Sequence, residues 1–438
     1  MLNQNEIIEA MQYDRFHFSN PINTAQEGRI QISYQFAGGG APGDLPTAGQ
    51  YGGWRGLSPA EKASFEAALA HIETFLNVDF VQVQRTADPD LNVAAVALPG
   101  ATIGNGGYSV HYRGNTITQW DGFVAYDADL DLAAHSNMDL LLHEMGHALG
   151  LHHTFEASQE LPDPYDSNLY SVMSYRPNPL NGEDSDAMML FDVLALQDIW
   201  GAAAYNEGDT TYTGCRNQTV DSLWDSGGVD TLNAKGRNSS VSLDLRQGAF
   251  SSFDADHDVV ITFGTEIENA FGAKGSDRIV GNELDNLLLG KGGRDYLSGK
   301  QGNDRLQGGY GRDTLKGGNG EDYLIGGGKG DQLRGGNGDD KLVGNRGWDR
   351  LHGQGGDDLL VGGRGRDTFI FKNQGGNDTV RDFSVADDCL KILSYGTSRQ
   401  LLEQATDTAD GVLFDFGDGN SLLLRDVTLA VLSDDFLI

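Results

Sequence analysis

Two consecutive nine-residue blocks, Gly308–Lys316 (GGYGRDTLK) and Gly317–Ile325 (GGNGEDYLI), show the repeat that decides the fold of the second half of the chain. Eleven such blocks follow one another without a gap over residues 272–370, on the pattern G-G-x-G-x-D-x-L-x. The eighth position is apolar in every block, and the sixth is Asp in ten blocks and Asn286 in the other. Repeats of this period and composition indicate a parallel β-solenoid.

Each block predicts a turn followed by a short strand. Gly adopts positive φ without a steric penalty, so the six Gly-rich residues form the turn, and the last three form a strand with its apolar side chain pointing inward. Two blocks complete one turn of a flattened coil, so eleven blocks give 5.5 turns, stacked about 4.7 Å apart. One Leu per block is a thin core, and we therefore expect bound metal ions to add stability.

Calcium is the metal that these loops predict, because carboxylates and loop carbonyls are hard oxygen ligands. Eleven loops form stacks of six and five, which gives at most nine inter-loop sites. Lys329 and Leu284 replace the fourth Gly of their blocks, and Asn286 replaces the Asp, so we expect weaker binding there. The predicted calcium ligands are the sixth-position carboxylates of Asp277, Asp295, Asp304, Asp313, Asp322, Asp331, Asp340, Asp349, Asp358 and Asp367.

The bulk composition excludes several classes of protein. The net charge of −33 argues against nucleic acid as a partner, because phosphate binding needs clustered Lys and Arg. The longest apolar runs, such as Val93–Leu98, are too short to cross a bilayer, so we predict no transmembrane segment. The first sixteen residues lack the basic start and apolar core of a Sec-type signal peptide. Two cysteines, Cys215 and Cys389, cannot form a disulfide framework, and whether they pair stays open.

The first half of the chain has the pattern of an α/β domain. Ser58-Pro59-Ala60-Glu61 is a capping box with Pro at the first helical position, and it predicts a helix start. A second helix is predicted from near Ser136 to Gly150, and a third over Ala187–Trp200. The predicted strands in this half are Ile30–Phe36, Phe80–Gln84, Leu91–Leu98 and Phe123–Tyr126, and the last of these is our candidate for an exposed edge that binds extended peptide.

The second predicted helix carries the motif HEMGHALGLHH, residues 143–153. His143 and His147 are four residues apart, so both imidazoles project from one helix face and can share a metal. Gly150 allows the helix to end, so that the chain turns and His153 supplies a third nitrogen. Three neutral imidazoles leave one position open, which is typical of a catalytic Zn²⁺, and Glu144 is placed to hold a metal-bound water.

This eleven-residue motif is the metzincin signature, which also predicts a Met-containing turn downstream. Ser171-Val172-Met173-Ser174-Tyr175 supplies that turn. Together with the nonapeptides and the terminal DDFLI, these motifs resemble the serralysins, secreted metalloproteases of Gram-negative bacteria. The resemblance implies that His143, His147 and His153 bind Zn²⁺ and that Glu144 is the catalytic base. It also implies that Met173 lies beneath the metal site without binding the metal, and that Tyr175 ligates the resting metal and moves toward the oxyanion.

We therefore predict an α+β metzincin zinc-protease domain followed by an all-β parallel β-roll (RTX) domain. The expected product is a monomeric, secreted, extracellular endopeptidase that acts on proteins or peptides and leaves the cell through a type I ABC-transporter apparatus. Thr154 departs from the family pattern, in which Pro usually follows the third His. The predicted boundaries are 1–25 for a possible propeptide, 26–206 for the catalytic domain, 207–271 for a connecting β segment, 272–370 for the roll and 371–438 for a C-terminal β region with the secretion signal.

Two alternatives stay open at this point. Similar rolls accompany lipases, epimerases, toxins and adhesins, so a calcium-dependent binding protein is the rival to a protease. Charge also divides unevenly, since residues 272–370 hold fifteen acids and fifteen bases while residues 26–206 carry 6 − 23 = −17. The bases of the roll either keep it soluble, or they hold anionic surfaces such as lipopolysaccharide or acidic polysaccharide.

Overall fold

The structure is a computed structural model that describes residues 2–13, 28–42, 51–84, 88–113, 116–156, 160–182, 184–214, 220–254, 257–372, 375–393 and 398–432. The chain divides into two compact units. The first comprises residues 1–207, 215–227 and 259–265, and the second comprises residues 208–214, 228–258 and 266–438. The segment that follows residue 207 therefore alternates between the units. Within the described residues, no helix is long and apolar enough to span a bilayer.

The first unit contains a six-stranded sheet. Its strands are β1 Ile30–Phe36, β2 Gly52–Arg55, β3 Val78–Gln82, β4 Leu91–Ala97, β5 Gly104–Arg113 and β6 Thr116–Asp127. They are ordered β3-β1-β4-β6-β5, with β2 paired to β4. All pairs along this order are parallel except β5 with β6, which is antiparallel. Strand β4 is buried at six of its seven residues, as expected for a central strand covered on both faces.

The sheet order corrects one prediction from the sequence. Phe123–Tyr126 belongs to β6, which pairs with β4 on one side and β5 on the other, so it is not an edge. The end strand on this side is β5. Its glycines and polar residues, GNGGYSVHYR, lack the apolar run on which the prediction relied. The signal for an edge strand was therefore weak in the sequence.

The described part of the first unit also contains four α-helices. They are α1 Gln4–Met11, α2 Pro59–Phe75, α3 Met138–Leu149 and α4 Leu190–Trp200. The predicted capping box at Ser58 is present, since Ser58 Oγ accepts the Glu61 N–H and Glu61 Oε2 accepts the Ser58 N–H. Helix α3 ends at Gly150 with φ of 115°, as its sequence predicts. Helix α4 begins three residues later than predicted, because the Asp192 carboxylate accepts the Met189 N–H and fixes the start there.

Helix α1 was absent from the sequence prediction. Asn3 and Glu6 form a reciprocal capping box at its start, and Ile7 and Met11 are fully buried. Beyond its end, the side-chain amide of Gln12 donates to Ala195 O at 2.9 Å and to Asp198 Oδ2 at 2.8 Å. The segment is therefore packed into the first unit. Most of the remaining predicted propeptide, residues 14–25, lies outside the described residues.

The second unit is a parallel β-roll with strands on two faces. One sheet has the order β10-β14-β16-β18-β20-β22-β24-β26, and the other runs from β27 through β28, β29 and β25 to β15, β13, β9 and β7. The strands within the repeats are β14 Arg278–Val280, β15 Leu287–Gly292, β16 Tyr296–Gln301, β17 Arg305–Tyr310, β18 Thr314–Asn319, β19 Tyr323–Gly328, β20 Gln332–Asn337, β21 Lys341–Gly347, β22 Arg350–Gly355, β23 Leu359–Gly365 and β24 Thr368–Lys372.

Further strands and short elements flank the repeats. Those before them are β7 Thr211–Tyr212, β8 Asp221–Leu223, β9 Thr231–Asn233, β10 Ser242–Asp244, β11 Phe250–Ser251, β12 Val259–Ile261 and β13 Asn269–Phe271. Those after them are β25 Asn377–Val380, β26 Cys389–Leu393, helix α5 Ser398–Leu402, β27 Ala405–Asp407, β28 Gly411–Gly417 and β29 Asn420–Arg425. Because β13 and β25 pair with repeat strands, the parallel stack extends beyond residues 272–370 at both ends.

The register of the roll follows the repeat. Leu306 pairs with Leu324, and Leu324 with Leu342, so one turn takes eighteen residues, or two blocks. The eighth-position side chains are buried in all eleven blocks. Most repeat strands have six or seven residues rather than the predicted three, because the first residues of the next block continue the pairing, as Gly309 does with Gly327. The Gly-rich turns are correspondingly tighter than the sequence suggested.

Candidate metal centres

Helix α3 and the chain after it bring three imidazoles together. The Nε2 atom of His153 lies 3.3 Å from Nε2 of His143 and 3.1 Å from Nε2 of His147. One candidate ligand atom from each ring lies within 4.8 Å of the other two. Burial lowers the pKa of His143 to about 4 and that of His147 to about 3, so both rings are neutral near pH 7.

Backbone carbonyls fix which nitrogen carries the proton on two of these rings. His143 Nδ1 lies 2.8 Å from Val172 O, and His147 Nδ1 lies 2.9 Å from Leu151 O. A carbonyl can only accept, so Nδ1 donates in each ring and Nε2 keeps its lone pair. In the third ring, Nδ1 of His153 makes no hydrogen bond to the described residues, but Oε2 of Glu156 lies 2.7 Å away, and this negative charge favours a proton on Nδ1. Three lone pairs therefore converge, and a cation would relieve their repulsion, so these residues fit Zn²⁺.

Glu144 lies on the same helix and is buried with no hydrogen-bond partner for its Oε2 atom. Burial raises the pKa of this carboxyl to about 8, although a hydrogen bond from the backbone of Gly106 acts in the opposite direction. Strand β5 approaches closely here, since a Cβ at Gly104 would lie 2.3 Å from Glu144 Oε1. The glycines of β5 therefore admit the strand to within contact of the carboxylate.

The Met turn packs under the helix. A Cβ on Gly146 would lie 2.5 Å from Sδ of Met173, which is itself fully buried. Gly at this point in the motif therefore lets the turn reach the helix. Asp192, which the sequence analysis did not single out, stabilises this turn. Its carboxylate accepts hydrogen bonds from Ser171 Oγ at 2.7 Å and from the Val172 N–H at 2.9 Å. The Val172 carbonyl is in turn the partner of His143.

A second unanticipated carboxylate, Asp166, organises the segment that follows the histidines. It accepts hydrogen bonds from Thr154 Oγ1 and, at 2.7 Å, from Ser174 Oγ. Its other oxygen lies 3.2 Å from Nε of Arg176. Thr154, the departure from the family pattern, thereby links the third histidine to the Met turn. Buried acids of this kind leave no spacing signal in a sequence.

Tyr175 stands beside the three imidazoles, with its Oη 2.8 Å from Nε2 of His153. Its side chain is 67% exposed, so it has room to move. It lines a cleft of about 640 Å³ together with His143 and Glu144, and Ile103 and Gly104, just before and at the start of β5, also line this cleft. His143, Glu144, His147, His153, Met173 and Tyr175 are thus brought together, as the sequence predicts.

The sixth-position carboxylates of the roll form two ladders. Oδ1 of Asp331 accepts the N–H of Asp313 at 2.8 Å, and Oδ1 of Asp349 accepts the N–H of Asp331 at 2.7 Å. The same contact recurs every eighteen residues and continues past the repeats to two acids that the sequence prediction missed, Asp378 and Asp388.

The second oxygen of nine ladder carboxylates is buried without a hydrogen-bond partner, namely Oδ2 of Asp295, Asp304, Asp313, Asp322, Asp331, Asp340, Asp349, Asp358 and Asp367. Loop carbonyls lie beside these atoms, since a Cβ on Gly326 would meet both Asp331 Oδ2, at 2.5 Å, and Gly344 O, at 3.0 Å. Buried unpaired oxygens among carbonyls fit a hard cation such as Ca²⁺. Asp277 differs, because its Oδ2 already accepts the N–H of Ala273 at 2.6 Å.

Three predicted features fall outside the described residues. They are Cys215, which bears on the question of a disulfide with Cys389, most of the segment 1–25, and the terminal residues 433–438 that carry the proposed secretion signal.

Comparison with known proteins identifies a family and several relatives. The family model described as Peptidase M10 serralysin C terminal matches residues 198–422, just over half of the chain. The metalloprotease AprA of Pseudomonas entomophila is 29% identical over 311 residues, which cover 60% of this chain and 61% of that protein. Serralysin of Proteus mirabilis is 34% identical over 206 residues, which cover 41% of this chain and 39% of that protein.

These matches do not span whole proteins. The aligned part of the chain covers about three-fifths of AprA and two-fifths of the Proteus serralysin. Among solved structures, the extracellular lipase LipA from Serratia marcescens matches 42% of this chain and 45% of its own, with 21% identity and a TM-score of 0.19. Agreement at that level is too low to support a conclusion about the fold.

Proposed function

The chain belongs to the Peptidase M10 serralysin C-terminal family, and from this premise we propose that it is a secreted, zinc-dependent endopeptidase. Relatives named as metalloproteases and serralysins support the activity. The observation that carries the proposal is the convergence of three imidazole lone pairs beside a buried carboxyl, Glu144, at a cleft that His143 and Glu144 line. Binding alone gives no reason to place an unpaired acid at that point.

In this proposal His143, His147 and His153 hold the zinc, and Tyr175 adds a fourth contact in the resting site. Bound Zn²⁺ would supply Lewis acidity, polarising the scissile carbonyl and increasing the acidity of water. The hydrogen bonds from Nδ1 of His143 and His147 to backbone carbonyls orient the rings and keep Nε2 available. The protein thus contributes a ligand set whose tautomers are fixed before the metal arrives.

Glu144 is the proposed general base and acid. Its Oε2 atom has no protein partner, so it is free to accept a proton from a water in the cleft. Burial raises its pKa to about 8, which makes the protonated carboxyl a competent donor to a leaving amine near neutral pH. A cation at the neighbouring histidines would favour the carboxylate form, which is the form needed for the first proton transfer.

Tyr175 is the proposed donor to the developing oxyanion. Its hydroxyl lies next to Nε2 of His153, and its exposed ring can move away from that contact when substrate enters. Partial desolvation of the hydroxyl, which lies on the inner side of this exposed ring, followed by the charges of Glu144 and Glu156, raises the pKa of Tyr175, so the hydroxyl keeps its proton at neutral pH. A preorganised donor of this kind contributes a few kcal/mol to transition-state stability.

The substrate is proposed to bind as an extended strand along β5. This strand ends the sheet, and its first residue, Gly104, lines the cleft beside Glu144, together with Ile103 just before it. Adding a strand to an exposed edge gives backbone hydrogen bonds that do not depend on sequence, while side-chain pockets set specificity. Peptide and protein substrates are therefore the expected class.

Calcium and export complete the proposal. Calcium ions on the nine unpaired Oδ2 atoms would fold and stabilise the roll, and extracellular millimolar calcium is sufficient for modules of this kind. Export through a type I ABC-transporter apparatus rests on the family resemblance and on the acidic-apolar residues 434–438. The expected location is extracellular, where proteins are available as substrates.

The test is a pair of Glu-to-Gln variants assayed on casein. Glu144→Gln is expected to bind one zinc and to fold normally while hydrolysis falls by several orders of magnitude. Glu160→Gln makes the same chemical change at an exposed position and should keep full activity. Zinc content by mass spectrometry and circular dichroism establish that both variants are intact. Substantial hydrolysis by zinc-loaded Glu144→Gln would refute the role of Glu144.

The rival function is a calcium-dependent binding protein without catalysis. It predicts that the unmodified chain, loaded with zinc and calcium, hydrolyses neither casein nor a broad peptide library. Detection of cleavage that disappears in Glu144→Gln excludes this rival. Absence of cleavage in the zinc-loaded chain supports it.

A further inference from the structure

The outward side chains of the roll separate by charge between its two loop edges. Successive turns stack through backbone contacts, as between Gly293 N–H and Tyr310 O on one edge and Gly320 N–H and Asn337 O on the other. Alternate blocks therefore contribute their loops to opposite edges. We call the loops of blocks beginning at Gly272 and every eighteenth residue to Gly362 the basic edge, and the intervening loops the acidic edge.

The names refer to the charges of the residues at the third to fifth positions of each loop. On the basic edge these positions hold seven cations and no acid, and on the acidic edge they hold five acids and no cation. The cations are five arginines and two lysines, all exposed: Arg294, Arg312, Arg346, Arg364 and Arg366, with Lys274 and Lys329. The net charge of zero over residues 272–370 thus conceals two surfaces of opposite sign.

Three of the five acids on the acidic edge, Asp285, Asp339 and Asp357, have a structural explanation. Asp285 Oδ1 accepts the N–H of Asn303 at 2.6 Å, and Asp339 Oδ1 accepts the N–H of Asp357 at 2.7 Å, so these side chains connect one turn to the next. The arginines of the basic edge have no such role. Within the part of the chain that the structure describes, none of the five forms an ion pair.

Solubility does not account for this arrangement, because solubility is best served by interspersed charges of both signs. Two large aromatic side chains also lie exposed on the basic edge, Tyr310 at 67% and Trp348 at 73%. The ammonium of Lys329 sits 4.7 Å above the Tyr310 ring, between the two aromatic residues along the stack. Exposed flat rings beside unpaired guanidinium groups indicate a binding surface rather than a solvated one.

From these observations we infer that the basic edge binds a linear acidic polysaccharide. Six loops at about 4.7 Å spacing make a ridge roughly 24 Å long, which suits an extended polymer. Arginine forks bind carboxylates in a bidentate manner, and the flat faces of sugar rings pack on Tyr and Trp. This binding goes beyond the proposed peptidase activity and would hold the enzyme on a polysaccharide matrix.

A duplex nucleic acid fits the ridge less well. It carries one charge per about 1.7 Å of axis, whereas the basic edge offers one or two cations per turn of about 4.7 Å. A chain of net charge −33 would repel such a dense polyanion. A polyuronate, with one carboxylate per sugar, presents a lower density of charge.

The experiment measures binding of hexagalacturonate to the full chain by titration calorimetry, at low salt and in the presence of calcium. This oligosaccharide is too short to gel with calcium. The ridge variant replaces Arg294, Arg312, Arg346, Arg364 and Arg366 by Gln. Its matched control changes five bases on the sheet faces to Gln: Arg305, Lys316, Arg334, Lys341 and Arg350. The ridge variant is expected to bind at least tenfold more weakly, and the control within twofold of the unmodified chain.

A further variant separates sugar recognition from general polyanion binding. Trp348→Ala with Tyr310→Ala leaves the net charge unchanged, and we expect several-fold weaker binding of hexagalacturonate but unchanged binding of a polyphosphate of equal charge. Three results would overturn the inference: no binding by the unmodified chain, equal losses in the ridge and control variants, or a single-stranded oligonucleotide bound as tightly as the uronate. Casein hydrolysis should be unaffected in all these variants, so the two proposals fail independently.

Discussion

The candidate zinc ligands of the first unit meet at one point, whereas the candidate calcium ligands of the second are spread over nine equivalent positions. The lone pairs of the roll are buried without a partner, and those of the histidines face one another, so both arrangements cost free energy until a cation arrives. The difference lies in redundancy. Each imidazole at His143, His147 and His153 is indispensable, while each carboxylate of the roll is one of many. Single substitutions should therefore have very different consequences in the two units.

The largest expected effect follows from removing one zinc ligand. His147→Ala should abolish zinc binding and reduce casein hydrolysis by several orders of magnitude, because two imidazoles do not hold a catalytic zinc. His135→Ala, at an exposed position, is the control and should retain both. Zinc content and hydrolysis are measured on the same preparations. Full zinc occupancy in His147→Ala would mean that the ligand set is wrong.

A smaller effect is expected at Tyr175. Tyr175→Phe removes the hydroxyl beside Nε2 of His153 and should lower kcat by about 10- to 1000-fold with zinc still bound. The three imidazoles remain, so the loss should fall short of that in His147→Ala. If kcat stays unchanged, the hydroxyl makes no contribution to the transition state.

Glycine-to-alanine substitutions in the two units provide the next comparison, because each adds a Cβ at a close contact. Gly146→Ala would place a Cβ 2.5 Å from Met173 Sδ, and Gly326→Ala would place one 2.5 Å from Asp331 Oδ2. We expect the first to destabilise its unit by about 1–3 kcal/mol and to reduce activity. The second should weaken calcium binding at one position and leave zinc content unaltered. Thermal unfolding monitored with each metal in excess distinguishes the two, and equal responses would argue against separate roles for the metals.

The sequence predicted some of these features and missed others for identifiable reasons. The zinc motif and the nonapeptides are local or periodic, so His143, His147, His153 and the roll register followed directly from spacing. The edge strand was assigned wrongly to Phe123–Tyr126, because β5 is rich in Gly and polar residues that carry no strand signal. Supporting acids such as Asp166 and Asp192 act through contacts distant in sequence, which periodicity does not show.

Replacing a single carboxylate of the roll should have only a small effect on calcium binding and folding. Asp331→Asn keeps the Oδ1 acceptor for the N–H of Asp313 but removes the charge beside Oδ2. We expect calcium stoichiometry to fall by one or two ions and the calcium concentration for half-folding to rise modestly, with activity retained in excess calcium. Calcium titration followed by circular dichroism measures this. Complete loss of the roll would show that the sites act as one cooperative unit rather than as redundant sites.

The pH dependence of the calcium-free roll provides the smallest test. Burial raises the pKa of Asp304, Asp331 and Asp340 to about 8, above the unfolded value near 4. The folded calcium-free roll therefore holds more protons than the unfolded chain, and its stability should fall as pH rises from about 4 to 8. Calcium binding at pH 7 should accordingly release protons. Calorimetry in two buffers of different ionisation enthalpy detects this release, and identical heats in both would exclude it.

The most direct test of the central claim is a titration of zinc into the zinc-free, calcium-loaded chain, with casein hydrolysis measured at each addition. If His143, His147 and His153 form the catalytic site, activity should rise linearly and reach a plateau at one zinc per chain, and Glu144→Gln should bind that zinc without gaining activity. Hydrolysis by the zinc-free chain, or a chain that binds one zinc at these histidines and stays inactive, would contradict the assignment.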